Sequence, residues 1–574
     1  MPEASDRMPG RPATGPTPGR PGTGRDGRIH RMTAEVGRST EGVGGRYLRG
    51  MARGGSLNLA GAVLGQASAF LVMLLLARAL GIAEVGRYAQ CYAVLSLLGL
   101  LSLSGFRAGL TRFVAVHLAD GDPAAVRGTI RLGLAVSAGS SALIAVALAV
   151  AAPWLAGVLH DPGLDLGLRL VALTLPASTV LDAALAATRG WRTQRPFTLV
   201  GQVYEPVTRL LASAVALAFG AGLTGAFWAL VIANWSAAAL ALGALARLLR
   251  RIAPAPPAYR PGELFGFSTV SWASSLASTG LIWIDTLLLG LYANDEIGVY
   301  HVATRLVTVA VFVLAPINAA FGPYLAHLYH QGRMPEVRRI YAAATGWVAR
   351  LSLPAFVALL VFPEQLLRLV GGTDFVAGAA VTVILALGQV VNAVTGPCGT
   401  VLTMSGRVAV NMADNVAALL LNVALNLWLI PTYGVVGAAV AWAVSLAAVN
   451  VARVVQVRAL VRSLPVTAGL VKGLGAAVVA LLFGYVVRGL VPGWGPQLGV
   501  GLAVIVVGYL GTVLALGLDR EDLMVLRAVI RRGGRRALEA EVDADSGARQ
   551  ARTGGAETGT GAEVPTRRTG AVGP

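Results

Sequence analysis

Apolar blocks of about 20 residues, nearly free of charge, recur from residue 55 to residue 517. At 1.5 Å rise per residue such a block matches the roughly 30 Å hydrocarbon core of a bilayer. A chain built this way must satisfy its backbone internally while crossing lipid, which leaves helices as its elements. Composition agrees: 55% of residues are hydrophobic and only 13% charged, where a soluble domain carries about 25% charged. The expected fold is an all-α polytopic membrane protein.

Reading apolar runs bounded by Arg, Pro, Gly and Asp clusters predicts fourteen spans: 55–77, 85–106, 129–151, 166–187, 199–220, 224–246, 267–292, 297–321, 340–363, 375–396, 411–430, 434–457, 467–488 and 497–517. The formal charge of +18 comes almost wholly from arginine, since Lys472 is the only lysine. Ten arginines lie before residue 55 and ten after residue 518, and most of the rest fall in short connections. With both tails cytoplasmic, nineteen basic residues of the connections and their edges face inward; Arg78, Arg87, Arg169, Arg368 and Arg488 face outward. That asymmetry orients the chain in a cytoplasmic membrane, and it argues for the anionic leaflet rather than nucleic acid as the partner of the charge. Residues 1–54 hold no apolar run, so no cleavable leader is expected there; Met32 and Met51 are alternative starts.

"EVGRY" at Glu84 and "EIGVY" at Glu296 lie 212 residues apart. "GLTGA" at Gly222 and "GVVGA" at Gly434 repeat that offset, and "HLADGDPAAVR" pairs with "HLYHQGRMPEVR". The expected organisation is two six-helix lobes, 55–246 and 267–457, joined by a linker 247–266 and related by an axis along the membrane normal, with a path between them. Helices 13 and 14 (458–517) are an addition. A basic, disordered tail (1–54) precedes the lobes. An interfacial amphipathic helix (518–543), with Leu523, Leu526, Val529 and Ile530 on its apolar stripe, and a second disordered tail (544–574) follow them.

Three stretches carry a resemblance: "LARALGIAEVGRYAQCYAVLSLLGLLSLSGFRAGLTRFVA", "IDTLLLGLYANDEIGVYHVATRL" and "LNVALNLWLIPTYGVVGAAVAWAVS". Over residues 52–465 the chain resembles the Wzx-like polysaccharide flippases of the MOP exporter superfamily, which also contains MATE drug antiporters and lipid II flippases. The resemblance implies alternating access by two lobes and transfer of a polyprenyl-diphosphate-linked oligosaccharide to the outer leaflet. A glycosyltransferase or polysaccharide polymerase is then a possible partner. Span 55–77 lacks the arginines of the lipid II flippases and has only Asn58 and Gln66 as large polar groups.

Charges inside spans are the functional candidates. Asp285 and Arg305 fall at the same depth on neighbouring antiparallel helices, either as an outer gate that releases Arg305 to a diphosphate or as a permanent lock; their first-lobe counterparts are Met73 and Ala93. Asp182, Glu205 and Arg209 share an inner depth, with Arg189 and Arg192 at the mouth. Arg107 and Arg112 are either headgroup receptors or positive-inside residues, and Arg350 and Asp414 have no evident partner. Gln389, Asn392, Asn422, Asn426 and Asn450 form a polar set that either bridges helices or meets sugar hydroxyls. Cys91 and Cys398 read as small apolar fillers.

No Gly-x4-Gly-Lys-Ser/Thr, no His-Glu-x-x-His and no ligand-spaced histidines occur, so neither ATP hydrolysis nor a cofactor or metal is expected. An enzyme using polyprenyl-linked sugars needs a large outward loop, and 152–165 and 364–374, the longest outward connections, hold about a dozen residues. The competing function is a MATE-like ion-coupled exporter, which would want carboxylates where a diphosphate carrier wants arginines.

Overall fold

The computed structural model describes residues 58–517 apart from 293, 312 and 313. The expected amphipathic helix 518–543 and both tails lie outside the described residues. Among the described residues the protein is helical throughout, and eleven helices are long and apolar enough to cross a membrane.

The first lobe runs α1 (Asn58–Ala79), α2 (Ile82–Leu103), α3 (Phe106–Ala119), α4 (Pro123–Val158), α5 (Leu164–Arg189), a π-helical stretch Phe197–Tyr204 that continues into α6 (Glu205–Ala218), and α7 (Gly222–Leu249). Helix α3 extends α2 beyond a break at Ser104 and Gly105, whose backbones are left-handed. The second lobe holds α8 (Pro261–Tyr292), α9 (Ile297–Ala310), α10 (Leu314–His330), α11 (Met334–Val361), the short α12 (Pro363–Gly371), α13 (Ala379–Thr395), α14 (Cys398–Met404) and α15 (Val408–Val461); α16 (Ala468–Leu490) and α17 (Trp494–Ala515) complete the chain. The interlobe linker is shorter than 247–266, because α7 continues to Leu249 and α8 begins at Pro261.

Helix α15 has 54 residues, and at 1.5 Å each a straight helix would reach about 80 Å, more than twice the hydrocarbon core. It is folded at Gly434, whose φ of 54° and ψ of −134° are open only to glycine. Arg453 bonds Asn415, and Gln456 bonds Asp414, so the two halves run back along each other. Counting α15 twice, and adding the α6 and the α9–α10 crossings, is consistent with fourteen spans.

The internal repeat is visible in backbone geometry. Gly222 and Gly434, 212 residues apart, have φ of 55° and 54°; Gly121 and Gly332, in the paired turns after α3 and α10, have φ of 68° and 70°. Each lobe has its own apolar core: Leu168, Leu175 and Phe227 in the first, and Val348, Phe356 and Leu385 in the second. Helices α16 and α17 pack on the outside of α11, where Ala476, Ala480 and Ile505 meet Ala349, Leu353 and Phe362.

At one end of the bundle the lobes are sealed. Val299, Val302 and Phe375 of the second lobe join Val85 and Leu76 of the first in one buried cluster. Arg78 reaches across to the carbonyls of Arg368, Leu369 and Val370 at the C-terminal end of α12, where a cation complements the helix dipole. At the other end the lobes part.

Candidate functional site: an arginine-lined cleft

Between the lobes a cleft tapers from the open end toward the sealed one. Its widest part, about 630 Å³, is lined by Arg107, Thr111 and Arg112 of α3, Arg189 of α5 and Ser278 and Thr279 of α8. It shares Arg107 and Thr279 with a middle chamber of about 450 Å³, bounded by α2, α5, the π-helical stretch, α6 and α7. Tyr92 and Arg209 then lead into a tip of about 70 Å³ bordered by Met73, Tyr88, His301 and Arg305. Five arginines (107, 112, 189, 209 and 305) border this cleft against two carboxylates, Asp182 and Glu205.

Both carboxylates are engaged. Asp182 pairs with Arg107 across α5 and α3. Glu205 lies 3.7 Å from Arg209 one turn on along α6, and the Arg209 guanidinium also donates to the Tyr92 hydroxyl at 3.3 Å. Asp182, Glu205 and Arg209 line the same middle chamber, with Asp182 paired to Arg107 and Glu205 to Arg209.

Four of the arginines stand over aromatic faces, Arg209 at 5.5 Å from the Tyr92 ring centre. The Arg112 guanidinium carbon stands 4.5 Å from the Phe267 ring centre, Arg189 is 4.4 Å from Phe197, and Arg305 is 4.9 Å from Trp283. A ring face attracts a guanidinium without using its N–H donors, so those donors stay available to a bound anion. The rings were not singled out from sequence. Trp283 sits two and a half helical turns before the α8 end, and its partner His301 stacks on it at 6.2 Å, a juxtaposition no spacing reveals.

Asp285 and Arg305 do not form a pair. The Asp285 side chain is 1% exposed and accepts hydrogen bonds from the Tyr300 hydroxyl at 2.9 Å and the Asn426 amide at 2.6 Å, inside the second lobe. Arg305 points into the cleft tip instead, beside Tyr88, Tyr92 and Arg209. Depth along a helix is read from sequence, but the direction around it is not, and the two groups leave their helices on different faces.

Asp414 and Arg350 also have neighbours. Asp414 accepts from Gln456 at 2.8 Å and lies 3.7 Å from Arg453. Arg350 donates to the Gly346 carbonyl at 3.1 Å and packs along Gly473 of α16, away from the cleft. The polar set divides: Asn422 and Asn426 surround Asp285, Gln389 accepts from Asn392 at 2.9 Å, and Asn392 and Asn450 line a separate second-lobe cavity. Cys91 is buried beside Gly167, and Cys398 meets the Tyr341 hydroxyl at 3.0 Å. Among the described residues no three His, Cys, Asp or Glu side chains gather as a metal ion would need.

The π-helical stretch runs directly into α6. Helix α1 crosses it with Gly61 and Gly65, where a Cβ would run into Thr198 and the Gln202 carbonyl, an approach open only to small residues. Phe197, Gly201 and Gln202 then face the same chamber as Glu205 and Arg209.

This arrangement has counterparts. The lipid II flippase MurJ in an inward closed conformation superposes with a TM-score of 0.64 at 12% identity, covering 82% of this chain and 99% of that one. An inward-facing MATE multidrug transporter of the MOP superfamily gives 0.59 at 13%, covering 71% and 98%. The chain has the fold of the MOP exporter superfamily. Residues 51–329 match the polysaccharide biosynthesis protein family and residues 271–428 match MatE. A probable flippase of Haloferax volcanii, AglR, is 28% identical over 281 residues, 46% of this chain and 56% of AglR. The chain thus spans little more than half the length of that relative. Family matches, flippase relatives and fold together support the Wzx-like kind of MOP exporter.

Proposed function

We propose that the protein flips a polyprenyl-diphosphate-linked oligosaccharide from the inner to the outer leaflet of the cytoplasmic membrane, with both termini cytoplasmic and the open end of the cleft facing inward. The observation that carries this reading is the charge of the cleft. Arginines outnumber carboxylates five to two, each carboxylate is already engaged by an arginine, and Arg112, Arg189 and Arg305 rest on aromatic rings with donors to spare. A planar guanidinium matches a phosphate bidentately, and a diphosphate offers two such groups. A cation exporter would need free carboxylates here.

Arg107, Arg112 and Arg189 at the wide part receive the headgroup, and Arg209 and Arg305 draw it toward the sealed end. Transport then requires the seal to open and the wide part to close, the ordinary course of alternating access. The flippase relatives speak for a transporter acting on a lipid-linked glycan; glycosyltransferases or a polymerase upstream and downstream are the partners this proposal adds.

Mass spectrometry of polyprenyl-diphosphate glycans in a strain depleted of the protein tests the reading. Build-up of a lipid-linked oligosaccharide on the cytoplasmic face supports it. No build-up, together with hypersensitivity to cationic drugs, would move the function to a MATE-like exporter.

A further inference from the structure

A second cavity, of about 350 Å³, lies inside the second lobe and shares no lining residue with the cleft. Its size falls within the ~300–1,000 Å³ of small-ligand sites. Beside Leu314, Pro397 and Met404 its walls carry amides and hydroxyls: Asn318 of α10, Asn392 of α13, Thr400 and Thr403 of α14, and Asn411 and Asn450 of α15.

Two features bear on what this cavity could hold. The amide oxygens of Asn318 and Asn411 are buried without a hydrogen-bond partner, at a point where both side chains border open volume. An unmet buried acceptor costs about 1–3 kcal/mol, so a donor is wanted there. The one charge on the wall, Arg453, is balanced by Asp414 at 3.7 Å and bonded to Asn415 at 2.5 Å, which leaves the site neutral overall.

A neutral wall of groups that both donate and accept suits a ligand that does the same at many points, and carries no charge. Cleft and cavity are opposite in this respect: the first-lobe side is cationic, and the second-lobe side is neutral and amide-rich. We infer that the two lobes divide the substrate's chemistry, with the cleft arginines holding its anionic portion and the Asn318–Asn411 cavity holding neutral, hydroxyl-rich sugar units. This rests on the flippase reading above.

The test uses the purified full-length protein in detergent and two probes: inorganic pyrophosphate, and the reducing glycans freed by mild acid from the lipid-linked pool of the depleted strain. Each probe should raise the wild-type melting midpoint. Asn318→Leu/Asn411→Leu should weaken the half-saturating glycan concentration at least tenfold and leave the pyrophosphate response intact. Arg209→Gln/Arg305→Gln should do the reverse. If the leucine variant shows no cooperative melt, Thr400→Val/Thr403→Val takes its place, removing two hydroxyls at nearly constant shape. Glycan binding that survives the second-lobe changes but falls with the arginine changes overturns the division of labour and leaves the flippase reading standing. A strain that accumulates no lipid-linked glycan, together with a wild-type protein indifferent to pyrophosphate, removes both.

Discussion

Gly86 and Gly298, at equivalent places in the two repeats, meet across the lobes: a Cβ built on Gly86 would stand 3.1 Å from the Gly298 amide nitrogen, and one on Gly298 would overlap the Ile82 carbonyl. The repeated Glu-β-Gly-x-Tyr stretches are therefore packed against each other at the sealed end. Overfilling such a contact forces backbone shifts that cost about 1–3 kcal/mol. Gly298→Val should hold the seal ajar, raise maleimide labelling of a cysteine at the buried Val85 position several-fold, and reduce transport at least tenfold. Unchanged labelling would place the closure elsewhere.

Asp285 and Arg305 should give different phenotypes. Asp285→Ala strands the Tyr300 hydroxyl and the Asn426 amide inside the second lobe, and should lower stability by about 1–3 kcal/mol, read as the unfolding midpoint in detergent. Arg305→Gln removes a cleft charge that no acidic residue among those described engages. It should leave the midpoint within about 0.5 kcal/mol of wild type while transport drops at least tenfold. Identical behaviour of the two variants would restore a linked role.

The Arg107–Asp182 pair is half open to solvent, with side chains 55% and 42% exposed. Such pairs contribute about 0–1 kcal/mol. Asp182→Asn should therefore leave the fold intact, free Arg107 and tighten pyrophosphate binding several-fold in a thermal-shift titration. Weaker binding would mean that the carboxylate aims the guanidinium.

Gly434→Ala should cost about 1–3 kcal/mol, because a Cβ is incompatible with the backbone at that turn. Gly222→Ala tests the matching position, where no neighbour stands within 4 Å and only the backbone term remains. A melting midpoint unchanged in both would contradict the observed backbone angles.

Much of this architecture is legible in the chain because lipid imposes a length and a polarity on every crossing. The two-lobe repeat follows from glycines and turn residues at a constant offset, and the positive φ of Gly222 and Gly434 gives the physical reason that offset carries glycine. Candidate charges are legible as residue types, and Arg107, Asp182, Glu205, Arg209 and Arg305 do border one cleft. Their partners are less so. A helix rotates 100° per residue, so a one-residue error in phase sends a side chain to another neighbour, as with Asp285. The aromatic supports under Arg112, Arg189 and Arg305 join residues whose separations, from 8 to 155, follow no period. The partners of Asp414 lie about forty residues away, across a fold in α15 that hydropathy shows only as a gap between two runs.

That fold also has mechanical reach. Asn411 and Arg453 lie 23 and 19 residues from Gly434, so the pivot stands about 30 Å from the amide-lined cavity, and a swing of about 5° would displace the arms there by about 2–3 Å. A Cβ on Gly434 would in turn sit 3.3 Å from the carboxylate of Glu296, two residues before the Gly86–Gly298 crossing. The turn of the hairpin thus stands beside the seal, and its two arms run from there to the amide-lined cavity. A rotation of the hairpin at the seal would therefore displace its far ends more than its turn.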